Sequence, residues 1–111
     1  MTKQTEESLI EEILSHVGEE LKDTLPDIRS RLFDAGREVI SDQSHLLTHW
    51  AGLASAGSLN REDVLWLAKS RMDLSRLEML EQSGLALADV DRLRQALTNS
   101  IIASIGNTIL S

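Results

Sequence analysis

The segment LPDIRSRLFDAGREVISDQSHLLTHWAGLA, residues 25–54, decides the fold because it places an apolar residue at every seventh position. Pro26 suits the first turn of a helix, and Thr24 followed by Asp27 adds a second start signal. A sustained seven-residue period is typical of a helix that packs along its whole length. We therefore predict one long helix over about residues 26–55, the spine of the fold. The repeat comprises Leu25, Leu32, Val39, Leu46 and Leu53, beside a parallel row of Phe33, Ile40, Leu47 and Ala54.

Three shorter helices surround this spine in the sequence. Apolar residues at three-to-four spacing predict them over about residues 5–23, 61–82 and 87–110. Gly57 suits a C-terminal cap, and Asn60 with Asp63 three positions later resembles a capping box. The fold class that follows is all-α: an antiparallel four-helix bundle, or two helical hairpins, completed or extended by dimerisation.

Composition agrees with a single helical domain spanning residues 1–111. A chain of 111 residues is long enough for one ordinary core, and one proline, no tyrosine and 3% aromatic residues disfavour a large sheet. The absence of cysteine rules out disulfides and thiolate metal sites. The opening MTKQTEESLIEEI carries acids where a secretory signal needs a basic and then an apolar run, so we expect a cytoplasmic protein.

The net charge of −7 is concentrated at the start of the chain. Residues 1–27 hold eight acids against Lys3 and Lys22, which leaves a net charge of −6 in that segment. Such a helix repels phosphate backbones and anionic lipid. We interpret it as a solvated face that aids solubility, with a basic protein partner as the alternative.

One row of side chains could bind a metal ion. Glu38, Asp42, His45 and His49 follow one another at spacings of four, three and four, which places them on one side of a helix. The apolar arc of the same helix, centred on Gly36 and Trp50, leaves Asp42 and His49 on its margin and the other two beyond it. We therefore favour an ordinary polar margin, with an Asp42 to His49 hydrogen bond, and expect no cofactor. The alternative is a metal-binding bundle that uses Asp42, His45 and His49.

The tail TNSIIASIGNTILS, residues 98–111, has apolar residues on more than one helix face, with small residues between them. Three interpretations stay open: a central core helix, a subunit interface, or a contact with a membrane surface, which the lack of flanking basic residues disfavours. Together with the broad apolar arc of helix 61–82, this tail predicts a homodimer. The candidate interface residues are Trp66, Met72, Ile101, Ile102, Ile105 and Ile109.

Two other classes of function find little support in the sequence. Helix 61–82 offers Arg61, Lys69, Arg71 and Arg76 to a nucleic acid. However, no glycine or other turn residue interrupts its apolar periodicity, as a helix-turn-helix motif would require, and the chain is acidic. The sequence contains no glycine-rich phosphate loop and no nucleophile elbow. We therefore expect a non-enzymatic, acidic, helical module for protein interaction, assembly or regulation. It would be a homodimer with a possible basic or helical partner, binding neither nucleic acid nor membrane, and a DNA-binding regulator acting through helix 61–82 is a further alternative.

Overall fold

The architecture is described by a computed structural model, which covers residues 6–83 and 86–106 and, within α4, the side chains as far as residue 74. These residues form five helices and no strand, so the all-α prediction is confirmed. The helices are α1 (Glu6–Glu20), α2 (Pro26–Asp42), α3 (Ser44–Ser55), α4 (Arg61–Ser83) and α5 (Leu87–Gly106). The radius of gyration of 13.6 Å is close to the value of about 13 Å expected for a packed chain of this length.

The spine is two helices rather than the single helix predicted, because the chain breaks at Gln43. The Gln43 amide donates to the carbonyls of both Val39, at 3.1 Å, and Ile40, at 3.2 Å, which tightens the last turn of α2. A straight helix over residues 26–55 would be about 45 Å long. The longest dimension of the whole molecule is 40 Å. The break lets both halves of the spine pack against the same core.

The Gln43 side chain at this break is held by a hydrogen bond from α4. The Gln43 Oε1 atom accepts a hydrogen bond of 2.7 Å from the Arg71 Nε atom of α4, and both side chains are half-buried. The local sequence Ser-Asp-Gln-Ser, residues 41–44, is rich in side chains that compete with the helical backbone for hydrogen bonds. No glycine or proline lies there, which is why the apolar repeat alone predicted a continuous helix.

The connection between α3 and α4 forms as the sequence predicts. Gly57 has a φ of +81°, the Gly57 amide donates to Ala54 at 3.1 Å, and the Ser58 amide donates to Leu53 at 2.8 Å. This pair of bonds is the Schellman arrangement that ends many helices. At the start of α4 the Asp63 amide donates to Asn60 Oδ1 at 2.8 Å and the Asn60 amide donates to Asp63 Oδ2 at 3.1 Å, which is a reciprocal capping box.

Helix α5 lies at the centre of the molecule. It packs against each of the other four helices, most extensively against α4 and α1. This placement supports the central-core interpretation of the tail as far as Gly106; the predicted continuation to residue 110 lies outside the described residues. The buried positions of α5 are Val90, Leu93, Ala96, Leu97, Thr98, Ser100, Ile101, Ser104, Ile105 and Gly106.

Gly36 is a close contact between α2 and the leucine side chains of α5. A Cβ atom built on Gly36 would lie 3.2 Å from Leu93 Cδ1 and 3.4 Å from Leu97 Cδ2. The first distance is shorter than an ordinary van der Waals contact between carbon atoms. A Cβ at this position would therefore require the Leu93 side chain to shift by a few tenths of an ångström, and a larger side chain would require more.

Replacing Gly36 by Leu should destabilise the fold by about 1–3 kcal/mol, because the core at this point is already filled. The matched control is Gly52→Leu, since Gly52 is also helical but a Cβ there meets no atom within 4 Å. Urea unfolding followed by circular dichroism measures both variants. Equal effects at the two positions would show that α2 and α5 are not in close contact.

Replacing Gly57 by Ala should destabilise the fold by about 1 kcal/mol, because an L-residue is strained at positive φ. Gly52→Ala is the control that isolates backbone conformation, since a Cβ has open space at both positions and only Gly57 has a positive φ. In a helix, Ala in place of Gly52 should stabilise by up to about 1 kcal/mol. Shifts of the same sign in thermal unfolding would contradict the capping role of Gly57.

Candidate interaction surface

The predicted metal-binding row lies on the surface, divided by the break at Gln43. Glu38 and Asp42 belong to α2, His45 and His49 belong to α3, and all four side chains are exposed. The row therefore lies on two helices and faces away from the core. The sequence predicts a hydrogen bond between Asp42 and His49. Among the described residues, the structure contains no such bond.

The closest partner of this row comes from α1. The His45 Nδ1 atom lies 3.4 Å from the Glu6 Oε2 atom, but the imidazole is 96% exposed. Throughout the described ranges, no group of three or more histidine or carboxylate side chains has a geometry that could hold a metal ion. Among the described residues, the structure therefore does not bring Asp42, His45 and His49 together as a set of metal ligands.

The candidate interface residues separate into two groups. Met72, Ile101 and Ile105 are completely buried inside the single chain, and Ile102 is half-buried. Met72 faces the core from α4, and α5 is enclosed by the other helices, so the three buried side chains offer no surface to a partner and Ile102 offers only part of one. Trp66 is different, since 64% of its surface is exposed. Ile109 lies outside the described residues.

Trp66 belongs to an apolar surface on the outer side of α4, which we call the α4 outer face and define as Trp66, Ser70 and Leu74. Leu74 is 71% exposed, the largest value among the exposed large apolar residues of the described side chains. The buried side of α4 is formed by Val64 and Met72 on either side of Ala68. At about 100° per residue, Trp66 lies about 160° around the helix from Ala68 in one direction, and Leu74 lies about 120° from Ala68 in the other direction. The α4 outer face therefore points away from the core that α4 itself helps to form.

Charged groups flank the α4 outer face without giving it a net charge. Lys69 is exposed, and the Asp73 Oδ1 atom lies 3.2 Å from the Arg94 Nη1 atom of α5 while its side chain remains 53% exposed. Residues 61–74 contain three acidic and three basic residues, so this part of α4 is neutral in a chain of net charge −7. The basic residues suggested for nucleic acid are thus balanced by acids, and Arg71 is bound to Gln43.

The acidic surface lies on α1. The helix contains six glutamates and neither lysine nor arginine, and Glu7, Glu11, Glu19 and Glu20 are exposed. Glu19 and Glu20 also line a groove of about 290 Å³ with Asn99 of α5. The net negative charge is therefore concentrated on α1, whereas the exposed Trp66 and Leu74 belong to the electrically neutral segment of α4.

Sequence reasoning identified Trp66 but missed Leu74. The apolar residues of α4 cover a wide arc, so the sequence did not show which of them would face the core. The spacing of Val64, Ala68 and Met72, one every four residues, is the signal that could have placed Leu74 outside, because these three alone form a continuous buried row.

Comparison with known protein families, with curated proteins and with solved structures finds no match. In the described part of the chain, no helix has both the length and the apolar content needed to cross a membrane.

Adding zinc or iron should leave the unfolding temperature unchanged, because Asp42, His45 and His49 are exposed and the described part of the chain assembles no group of metal ligands around them. Untagged protein and the His45→Ala/His49→Ala variant would be compared by differential scanning calorimetry. A ligand at 100 times its Kd stabilises a protein by about 2.7 kcal/mol, which this measurement resolves easily. A stabilising shift present only in the native chain would establish a metal site there.

Proposed function

We propose that this protein is a non-enzymatic interaction and assembly module that forms a homodimer through the α4 outer face. The observation that carries the proposal is the exposure of Trp66 and Leu74 on one side of α4. Exposed apolar surface on one side of a helix is a feature of many protein association sites. Tryptophan in particular contributes strongly to binding when a partner removes it from water.

Geometry favours association of like surfaces. In a symmetric dimer the same patch is used twice, so one exposed tryptophan and one exposed leucine supply two of each to the interface. Full burial of a leucine-sized side chain contributes about 1.5–3 kcal/mol, and the exposed fractions of Trp66 and Leu74 leave most of that contribution for a partner to supply. The proposed association therefore uses apolar area that folding of the single chain does not use.

The same proposal accounts for the bundle expected from the sequence. In the dimer, α4 of each copy would lie between its own α5 and α4 of the partner. Two α4–α5 pairs would then form a four-helix layer across the symmetry axis. The acidic α1 would remain outside this layer, where its glutamates keep the assembly soluble or meet a basic partner.

Light scattering during size-exclusion chromatography at micromolar concentration should give about twice the chain mass of 12.3 kDa. The Trp66→Ala/Leu74→Ala variant should elute as a monomer that is still folded, because both side chains are exposed in the single chain. Leu87→Ala is the matched control, since Leu87 is a 52% exposed leucine at the start of α5. This control should remain dimeric.

A native chain that is monomeric at micromolar concentration would overturn the proposal. A dimer that survives the double substitution would show that association uses a different surface. Circular dichroism of the double variant establishes that loss of the dimer is not loss of the fold.

A further inference from the structure

We infer that the partner of the α4 outer face is α4 of a second copy in antiparallel orientation, with Ser70 at the twofold axis. This inference rests on the proposed function and specifies the arrangement of the two chains. It depends on the order of side chains along α4, on the charges beside them and on the neutrality of this segment.

The α4 outer face is self-complementary about Ser70. Trp66 lies four residues before Ser70, and Leu74 lies four residues after it. When two such helices run in opposite directions about an axis at Ser70, each Trp66 lies level with the partner's Leu74 along the helix axis, and the two Ser70 residues face each other. A small residue at the axis lets the helices approach, and each layer then contains one large aromatic ring and one smaller aliphatic side chain. A parallel pair would instead stack the two tryptophans and the two leucines in separate layers.

The charges beside this face also favour the antiparallel pair. Lys69 and Asp73 lie on the same flank of the α4 outer face, about 40° apart around the helix. In an antiparallel pair, equal flanks meet, and Lys69 comes within about 3 Å, measured along the axis, of the partner's Asp73. In a parallel pair, opposite flanks meet, and Lys69 would turn toward the flank that carries Arg71. Asp73 already contacts Arg94, but a carboxylate accepts several hydrogen bonds and this one is 53% exposed.

The distribution of charge over the molecule points to a second copy as the partner. Residues 61–74 carry no net charge, so two copies can bring these segments together without mutual repulsion. A basic peptide would be attracted to α1, where six glutamates have no lysine or arginine among them. The occupant that suits a neutral, apolar, self-complementary face is therefore the same face.

Single cysteines provide the test, because the full chain contains no cysteine that could form other disulfides. Ser70→Cys should cross-link to itself under mild oxidation. It should do so about a hundredfold faster than Ser41→Cys, an exposed serine of α2, because the dimer holds the two thiols at millimolar effective concentration. Leu74→Cys should not cross-link above the Ser41→Cys rate. Its two Cα atoms would be about 12 Å apart along the axis, beyond the ~7 Å limit for a disulfide.

The outcomes distinguish the two proposals. Rapid cross-linking of Ser70→Cys without Leu74→Cys supports the antiparallel pair. Rapid cross-linking of both variants identifies a parallel pair, which overturns this inference and leaves the dimer intact. A native dimer in which neither variant cross-links faster than Ser41→Cys rejects the α4 outer face as the interface. A native chain without any dimer, measured by light scattering, overturns the proposed function itself.

Discussion

The whole arrangement depends on the burial of α5. A helix with apolar residues on more than one face is stable in water only when it is covered on several sides, and here one chain supplies all four covering helices. Covering a helix this closely requires small residues at the contacts. Gly36 provides one from α2, and the buried Ser100 and Ser104 provide others within α5 itself. Ser100 satisfies its hydroxyl by donating to the Ala96 carbonyl at 2.6 Å. The positions of the other helices follow from this requirement.

Enclosing α5 has a direct effect on the surface of the molecule. Since α4 uses the side formed by Val64, Ala68 and Met72 to cover α5, three other apolar residues among its described side chains, Leu65, Trp66 and Leu74, are exposed to solvent. Ile101 and Ile105, which the sequence predicts as interface residues, are buried in the core. The association that we propose would therefore use α4 rather than α5, and it would use a neutral segment, whereas the glutamates are concentrated on α1.

Local chemistry in the sequence predicted the helix ends well. Gly57 and the Asn60–Asp63 pair act through bonds to residues a few positions away, so their effect does not depend on the rest of the fold. The break at Gln43 was not predicted, because no glycine or proline marks it and the Gln43 side chain is held by a hydrogen bond from Arg71, 28 positions away in the chain. The exposed position of Leu74 was missed for a different reason. The apolar residues of α4 cover a wide arc, and only the four-residue spacing of Val64, Ala68 and Met72 within that arc marks the side that faces the core.

The break at Gln43 also affects how the chain can fold. An isolated helix of fewer than about 12–15 residues is marginal in water. With only 12 residues, α3 lies at this limit, whereas a continuous spine of 30 residues would lie well above it. The division makes α3 dependent on distant parts of the chain, through Leu47 and Trp50 in the core and through the Arg71 bond beside it. The stability of α3 is therefore tied to its packing against the other helices rather than to its own length.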